Sequence, residues 1–386
     1  IYAGTTATSA AQVTYYNISF TPASGTPTYS FVPSSTVTWG VSKNNVTDSA
    51  VSSSIFNTAN AVTYMGTSGT GLILRCAAST GCDENADWTQ SYDSADSTIQ
   101  DFAIDTTNNV LYAAGGNTGT IYRCVISTAC DGQGDWAVSY DTTESAIYSL
   151  VFDNTNGVMY AGTGFNGLIY RCAVATACDA SGDWTVTAPV DTSEDYILDM
   201  AFDSVNGVVY ASTTGSGFNK YILRCAVSTA CDDISEWTTS FESSSQNYSV
   251  TIDTTNNVLY SGDGVSGIVY SCDLSTSCDA TGDWTTSYDS PSNYVPTLAY
   301  NSASQTLYMG SDNSGIIYSC AVSSACDAGG DWSAAYDSAV GTINTITVDT
   351  VNNTVYAGAA SNNTIYRGYL APASIAVQNN VLISAN

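Results

Sequence analysis

Apolar positions along this chain come in short runs with no helical stripe. Residues 146–184 read AIYSLVFDNTNGVMYAGTGFNGLIYRCAVATACDASGDW. An apolar run from Ile147 to Phe152 meets the polar turn Asp153-Asn154-Thr155-Asn156-Gly157. A second run (Val158 to Ala161), a Gly-rich turn, a third run (Leu168 to Val174), a loop between two cysteines and a last run opening at Trp184 follow. Such short runs, rich in β-branched and aromatic residues and punctuated by Gly, Asn and Asp, predict four strands and no helix.

This unit recurs every 47–53 residues, a period that signals a propeller or a solenoid. All seven tryptophans fall in register, at Trp39, Trp88, Trp136, Trp184, Trp237, Trp284 and Trp332. The tyrosine that ends the second run also recurs seven times: Tyr64, Tyr112, Tyr160, Tyr210, Tyr260, Tyr308 and Tyr356. The count predicts an all-β fold, a seven-bladed β-propeller of four-stranded blades.

The cysteine pair occurs only six times, because Gly368 stands where the other units carry the first cysteine. The strand missing after it lies at the other terminus, where TWGVSKNNVTDSAVSSSIF (38–56) aligns with DWAVSYDTTESAIYSLVF (135–152). The last blade is therefore expected to take its outer strand from around Trp39. That closes a ring over residues 36–370, hides its sheet edges, and leaves no local loop for a seventh disulfide. Residues 1–35 and 371–386 are left over. Both contain strand-like sequence, AQVTYYNISF (11–20) and SIAVQNNVLIS (374–384), expected either to pack on their own ring or to add strands to neighbouring copies.

Charge narrows the partners. Thirty-five acidic residues against seven basic ones, with no histidine, give a net charge of −28, which repels phosphate backbones and excludes nucleic acid as a partner. No stretch approaches the roughly 20 apolar residues of a membrane span. No leader pattern is visible from Ile1 on, as expected of a chain read after processing or made without one.

The twelve cysteines form six pairs of one spacing: Cys76/Cys82, Cys124/Cys130, Cys172/Cys178, Cys225/Cys231, Cys272/Cys278 and Cys320/Cys326. Even number and fixed spacing point to local disulfides in an oxidising compartment, hence an extracellular or cell-surface protein. A structural zinc needs about four ligands together, and these pairs lie far apart. Closing each small loop contributes roughly 2 kcal/mol in the chain-entropy model.

The second cysteine opens a repeated phrase: CDENADW, CDGQGDW, CDASGDW, CDDISEW, CDATGDW and CDAGGDW. An Asp with a Trp five residues on resembles the Asp-box (bacterial neuraminidase) repeat of sialidase-like propellers, over about residues 50–370. The matching pairs are Asp83/Trp88, Asp131/Trp136, Asp179/Trp184, Asp232/Trp237, Asp279/Trp284 and Asp327/Trp332. The glycine lies one residue later than in that family, and a cysteine loop precedes the box. The resemblance implies that the Asp caps turn amides and that the Trp tucks between sheets. It also implies where catalysis would sit, on three gathered arginines and a Tyr–Glu pair. Here Arg75, Arg123, Arg171, Arg224 and Arg367 share one repeat position and would be spread around the ring. With histidine absent and glutamates scattered, no enzymatic activity is expected.

Other candidates have plain readings. The first-turn residues Asn57, Asp105, Asp153, Asp203, Asp253, Asn301 and Asp349 offer oxygen ligands suited to calcium, but turn capping is favoured; no other cofactor and no metal site is expected. Sequons at Asn17, Asn45, Asn247, Asn352 and Asn362 mark candidate glycosylation sites. One unit is irregular: 15 residues separate Tyr210 from Cys225, where other units have 12, because of the loop Ser212 to Lys220 with Phe218. It reads as a tolerated insertion more than as a contact site. The short Gly-rich loops predict no single distinctive pocket. The expected function is a non-enzymatic structural subunit of an extracellular assembly, with copies of itself as partners. The alternative is a secreted propeller that binds or cleaves carbohydrate, with glycans as partners.

Overall fold

The computed structural model describes residues 18–22, 28–32, 37–44, 50–186, 196–215, 220–243, 245–339, 341–370, 374–378 and 381–385. Seven four-stranded antiparallel sheets follow one another as the blades of a β-propeller. Among the described residues the only helical elements are three-residue 3-10 turns. Blade 3 is representative, with strands Ile147–Asp153, Val158–Thr163, Ile169–Ala173 and Trp184–Val186. Its register sets Tyr160 beside Arg171, and Cys172 beside Trp184.

The ring closes as the repeat count requires. Blade 7 consists of Ile343–Asp349, Thr354–Ala359, Ile365–Leu370 and, from the other end of the chain, Val37–Lys43. Trp39 pairs with Gly368 and Val41 with Tyr366, while Tyr356 pairs with Arg367. The seam to blade 1 is sealed where Asn344 Nδ2 donates to the Val51 carbonyl at 3.1 Å and the Ser54 and Thr345 hydroxyls meet at 2.6 Å.

No blade has a core of its own. The second strands are buried along their length, as in Val158–Thr163, and each apolar cluster joins neighbouring blades. Tyr160 and Ile169 of blade 3, for example, pack with Ile197, Met200 and Trp237 of blade 4. A half-apolar sheet must bury its face against another layer, and here the other layer is always the next blade.

Strand direction divides the ring into two faces. Inner strands begin, and second strands end, on what we call the entry face. The first-strand turns and the six disulfide loops lie on the other, the disulfide face. All six expected pairs are bridged: Cys76–Cys82, Cys124–Cys130, Cys172–Cys178, Cys225–Cys231, Cys272–Cys278 and Cys320–Cys326, with Cα–Cα separations of 5.9–6.0 Å. No cysteine is free.

The bridges do more than close loops. The second cysteine of each pair, Cys82, Cys130, Cys178, Cys231, Cys278 or Cys326, is fully buried at 0% exposure. Each packs with its first cysteine and with the tryptophan of its own blade, as Cys130 does with Trp136, Cys231 with Trp237 and Cys278 with Trp284. The backbone is the reason. All six take positive φ, 47° at Cys130, 53° at Cys231 and 43° at Cys278, and the bridge that this bend permits lies beneath the loop. The sulfurs are therefore core atoms as well as crosslinks.

Blade 7 has no disulfide loop, and beyond it the two ends of the chain pair with each other in two short two-stranded sheets. Val37 pairs with Leu370, Val32 with Ser374, Thr28 with Gln378, Pro22 with Val381 and Ile18 with Ala385. The strand-like extensions thus pair with each other within one chain, as a two-stranded antiparallel ribbon. Gly368 has a steric role beside this, since a Cβ there would lie 2.6 Å from Trp39 Cε2. Gly368→Ala should therefore destabilise the ring by about 1–3 kcal/mol, read as a lower urea midpoint at unchanged slope, whereas Gly40→Ala, with open space around its Cα, should leave the midpoint nearly in place.

Candidate functional site

The six disulfide loops are the joints of the ring. Between Cys172 and Cys178 the chain makes one 3-10 turn, Val174–Thr176. Ala177 and Cys178 then both take positive φ, 75° and 46°, a region that disfavours non-glycine residues by roughly 1–2 kcal/mol each. The crosslink holds this shape, and the loop presents three carbonyls to blade 2. Asn108 Nδ2 donates to Val174 O at 3.3 Å, Tyr112 Oη to Ala177 O at 3.4 Å, and Ser139 Oγ to Cys178 O at 2.5 Å. Blade 5 grips blade 6 with the same three groups: Asn256 on Val322 O at 3.2 Å, Tyr260 on Ala325 O at 3.3 Å, and Ser287 on Cys326 O. The serine contact recurs where Ser91 donates to Cys130 O and Ser240 to Cys278 O, each at 2.5 Å.

The serine also accepts a hydrogen bond. The indole N–H of the next blade's tryptophan donates to it in Trp88–Ser42 (2.8 Å), Trp136–Ser91 (3.0 Å), Trp184–Ser139 (3.2 Å) and Trp284–Ser240 (3.2 Å). The aromatic residue after the serine stacks on the same indole, as Tyr92 does on Trp136 at 5.3 Å and Phe241 on Trp284 at 4.9 Å. The working motif is thus W-x-x-S-[YF]. It is present in the sequence but carried by a serine, a residue too common in this chain to stand out.

The motif is not kept in every blade: blade 3 has Thr187-Ala188 at its last two positions and blade 7 has Ser42-Lys43. Blade 6 carries Ala335 at the serine position, and the blade it faces, blade 7, has no disulfide loop. Tyr336 still stacks on Trp39 at 5.3 Å, but Trp39 Nε1 has no partner. On the far side of blade 7, Ser42 donates to Cys82 O at 2.5 Å and accepts from Trp88. The N-terminal strand is thereby locked to blade 1 as well as to its own sheet.

The roles drawn from the Asp-box likeness need correction. The carboxylate that caps each turn is the one just before the tryptophan. Asp87 accepts from the backbone N–H of Asp83 (3.1 Å) and Glu84 (3.2 Å), and Asp183 from Asp179 and Ala180 at 3.1 Å each. Asp135, Glu236 and Asp283 do likewise for Asp131, Asp232 and Asp279, and Asp331 accepts from Ala328. The first Asp of the phrase lends its amide, because only the later carboxylate can reach back over the 3-10 turn. Among the described residues Asp232 alone finds a charged partner, Arg171, at 3.6 Å. The five arginines stay dispersed, paired across strands with Tyr64, Tyr112, Tyr160, Tyr210 and Tyr356.

The first-turn Asx residues are caps. Buried Asp153 accepts the amides of Thr155 (2.8 Å) and Asn156 (3.0 Å) on one oxygen and Asn156 Nδ2 (2.9 Å) on the other, and Asp105, Asp203, Asp253 and Asp349 repeat this. These donors occupy the oxygens a cation would need. Among the sequons, Asn247 is fully buried on an inner strand, so the folded ring has no room for a glycan there. Asn352 is exposed and Asn362 half-buried, while Asn17 and Asn45 lie outside the described residues, as does Phe218.

Two residues had no motif to mark them. Asp101 and Asp199 interrupt the inner strands of blades 2 and 4. Each accepts its neighbour's amide, Phe102 (2.7 Å) or Met200 (2.9 Å), and an amide of the following blade, Leu150 (2.7 Å) or Val250 (2.8 Å). Burial pushes the Asp199 carboxyl up to about 7. Burial first, and the charge of Asp199 second, push Asp101 well above the usual carboxylate range.

No protein-family model matches this chain, and no curated protein matches it. The likeness to Asp-box repeats therefore rests on the spacing alone.

Two outcomes are expected. Ser139→Ala leaves a buried indole N–H and a carbonyl unpaired, and should lower unfolding free energy by about 1–3 kcal/mol in urea titrations. The second concerns pH. Asp199 has a folded pKa above its unfolded value, so its contribution is fully present below pH ~4 and lost as pH rises through ~7. With no histidine in the chain, the melting temperature should fall between about pH 4 and pH 7, and Asp199→Asn should flatten that slope.

Proposed function

We propose that the protein is a non-enzymatic structural subunit of an extracellular or cell-surface assembly, a filament, layer or coat of disulfide-stapled rings joined through their terminal strands. The observation that carries this reading is the ribbon. Its strands Ile18–Pro22 and Thr28–Val32 pair only with Val381–Ala385 and Ser374–Gln378, so among the described residues each strand keeps one unpaired edge. A two-stranded ribbon alone is marginally stable in water, and unpaired edges template further pairing.

Two routes satisfy those edges with copies of the same chain. Ribbons of two subunits can pair edge to edge. Alternatively, the N-terminal strands of one subunit can take the C-terminal strands of the next in the same register, an exchange that conserves every ladder bond. Repeated head to tail, such an exchange does not close, and it generates a filament. The lock of Ser42 on the blade 1 loop confines any exchange to the strands before Val37. Six disulfides fit the oxidising compartment this role requires. The charge of −28 per subunit opposes close contact and calls for cations or spacing between rings.

Removing residues 1–35 should leave a folded, soluble, monomeric ring in sedimentation and negative-stain microscopy, while the intact chain assembles. Unchanged assembly of the truncated ring, or an intact chain that stays monomeric at high concentration, would overturn the reading.

A further inference from the structure

The entry face is not uniform. Most of its sectors carry small or polar residues where inner strands begin, or bury what they carry. Blades 3 to 5 instead gather aromatic rings around a cavity of 470 Å³. Tyr148 and Tyr248 occupy the second position of their inner strands, where other blades have Ser52, Gln100, Leu198, Pro296 and Asn344. Tyr196 stands at the start of the blade 4 inner strand. Its ring meets Tyr148 edge-on, with centroids 5.6 Å apart and planes at 89°. Exposed Phe165 flanks Tyr196 at 4.9 Å, and Tyr294 flanks Tyr248 at 5.5 Å. This cavity corrects the expectation that no sector would be distinctive.

The rings are held in place before any ligand arrives. Tyr148 lies against the backbone at Gly164 and Tyr248 against that at Gly264, each in contact that a Cβ on the glycine would abolish. Fixing the rings in advance lowers the ordering entropy of binding. Thr214 occupies the matching position in blade 4, at the start of the irregular loop. It lines the cavity and is more than nine-tenths buried, at 7% exposure, and its hydroxyl is enclosed behind that wall without a partner. A buried hydroxyl left unpaired is destabilising, and a small turn of the Thr214 side chain would bring it to a ligand hydroxyl in the cavity.

The chemistry of the walls restricts the occupant. Among the described residues, polar groups come from the tyrosine hydroxyls, Thr214 and the Gln246 amide, and no lysine, arginine, aspartate or glutamate lines the cavity. Burial raises the pKa of Tyr148 and Tyr248, so their hydroxyls are neutral donors. An anion would meet no cation here and a net charge of −28 around it. A purely apolar group would leave Thr214 and Gln246 unserved. A sugar ring matches both needs, with C–H faces to lie on aromatic rings and hydroxyls at its rim for the polar groups.

We propose that this cavity binds a neutral pyranose unit of a glycan. Assembly plays no part in the argument, so the two readings stand or fall separately. Isothermal titration of the intact chain with cellohexaose, maltohexaose, laminarihexaose and mannohexaose tests it. At least one should bind, and Tyr196→Ala and Tyr248→Ala should each weaken it tenfold or more. Gly264→Ala should weaken it too, since it displaces Tyr248 without removing a ring. Tyr300→Ala, at the opposite end of an inner strand, should not, and melting curves should show all four variants folded. Binding of none of the four sugars, equal binding by the Tyr196 and Tyr248 variants, or tighter binding of an oligogalacturonate would overturn the proposal. So would Tyr248-dependent binding of the peptide SIAVQNNVLIS, which would assign the cavity to strand docking.

Discussion

The row of carbonyls on each disulfide loop is the interaction on which the ring depends. Blades in a propeller share a core, but apolar contact is indifferent to sliding, and seven similar sheets could pack in several offsets. Directional bonds remove that freedom. An asparagine from the first turn, a tyrosine from the second strand and a serine from the fourth reach over to one loop, as in Asn108, Tyr112 and Ser139 on Val174, Ala177 and Cys178. The loop can serve them only in a strained shape, with two consecutive residues at positive φ. A six-residue crosslink makes that shape a property of the covalent chain, so the ordering entropy is largely removed before the blades meet.

Two departures from the repeat coincide. Ala335 replaces serine at the one joint whose partner has no loop, whereas an unpaired indole N–H is not particular to that joint, since Trp237 and Trp332 also lack a partner where the loops are kept. Gly368 replaces cysteine where the indole needs the space. The joint that lacks a staple is also the place where both chain ends leave the ring. A local weakness in the architecture and the feature best suited to joining subunits are one region.

Much of this was legible in the residues. Tryptophan and tyrosine in sevenfold register, with six cysteine pairs, specify blade number, strand order and the exchanged outer strand, because each marks a fixed position in a period-2 ladder that cannot slip without turning its apolar face outward. Roles within the repeated phrase were less legible. Asp179 and Asp183 are both conspicuous by spacing, and only the three-dimensional turn decides which carboxylate reaches back over it. Spacing paired Cys124 with Cys130 and was silent on depth, which the bend at the second cysteine decides. The serine of W-x-x-S-[YF] was hidden among many serines. Asp101, Asp199 and the aromatic cavity were invisible to periodicity, since repeat analysis averages over blades and these are what the blades do not share.

The two faces of the ring therefore divide the labour. The disulfide face carries the repeated, satisfied hydrogen bonds and sends out the ribbon. The entry face carries the irregular residues: Thr214 with an unpaired hydroxyl, and tyrosines laid on glycines. A head-to-tail polymer formed through the ribbon uses the first face for cohesion in every subunit. The second face is then free to vary without loss of the fold, because its connections contribute little to the joints. The aromatic cavity lies on the face opposite the ribbon, so a ligand bound there and a neighbour paired at the ribbon would not compete for one surface.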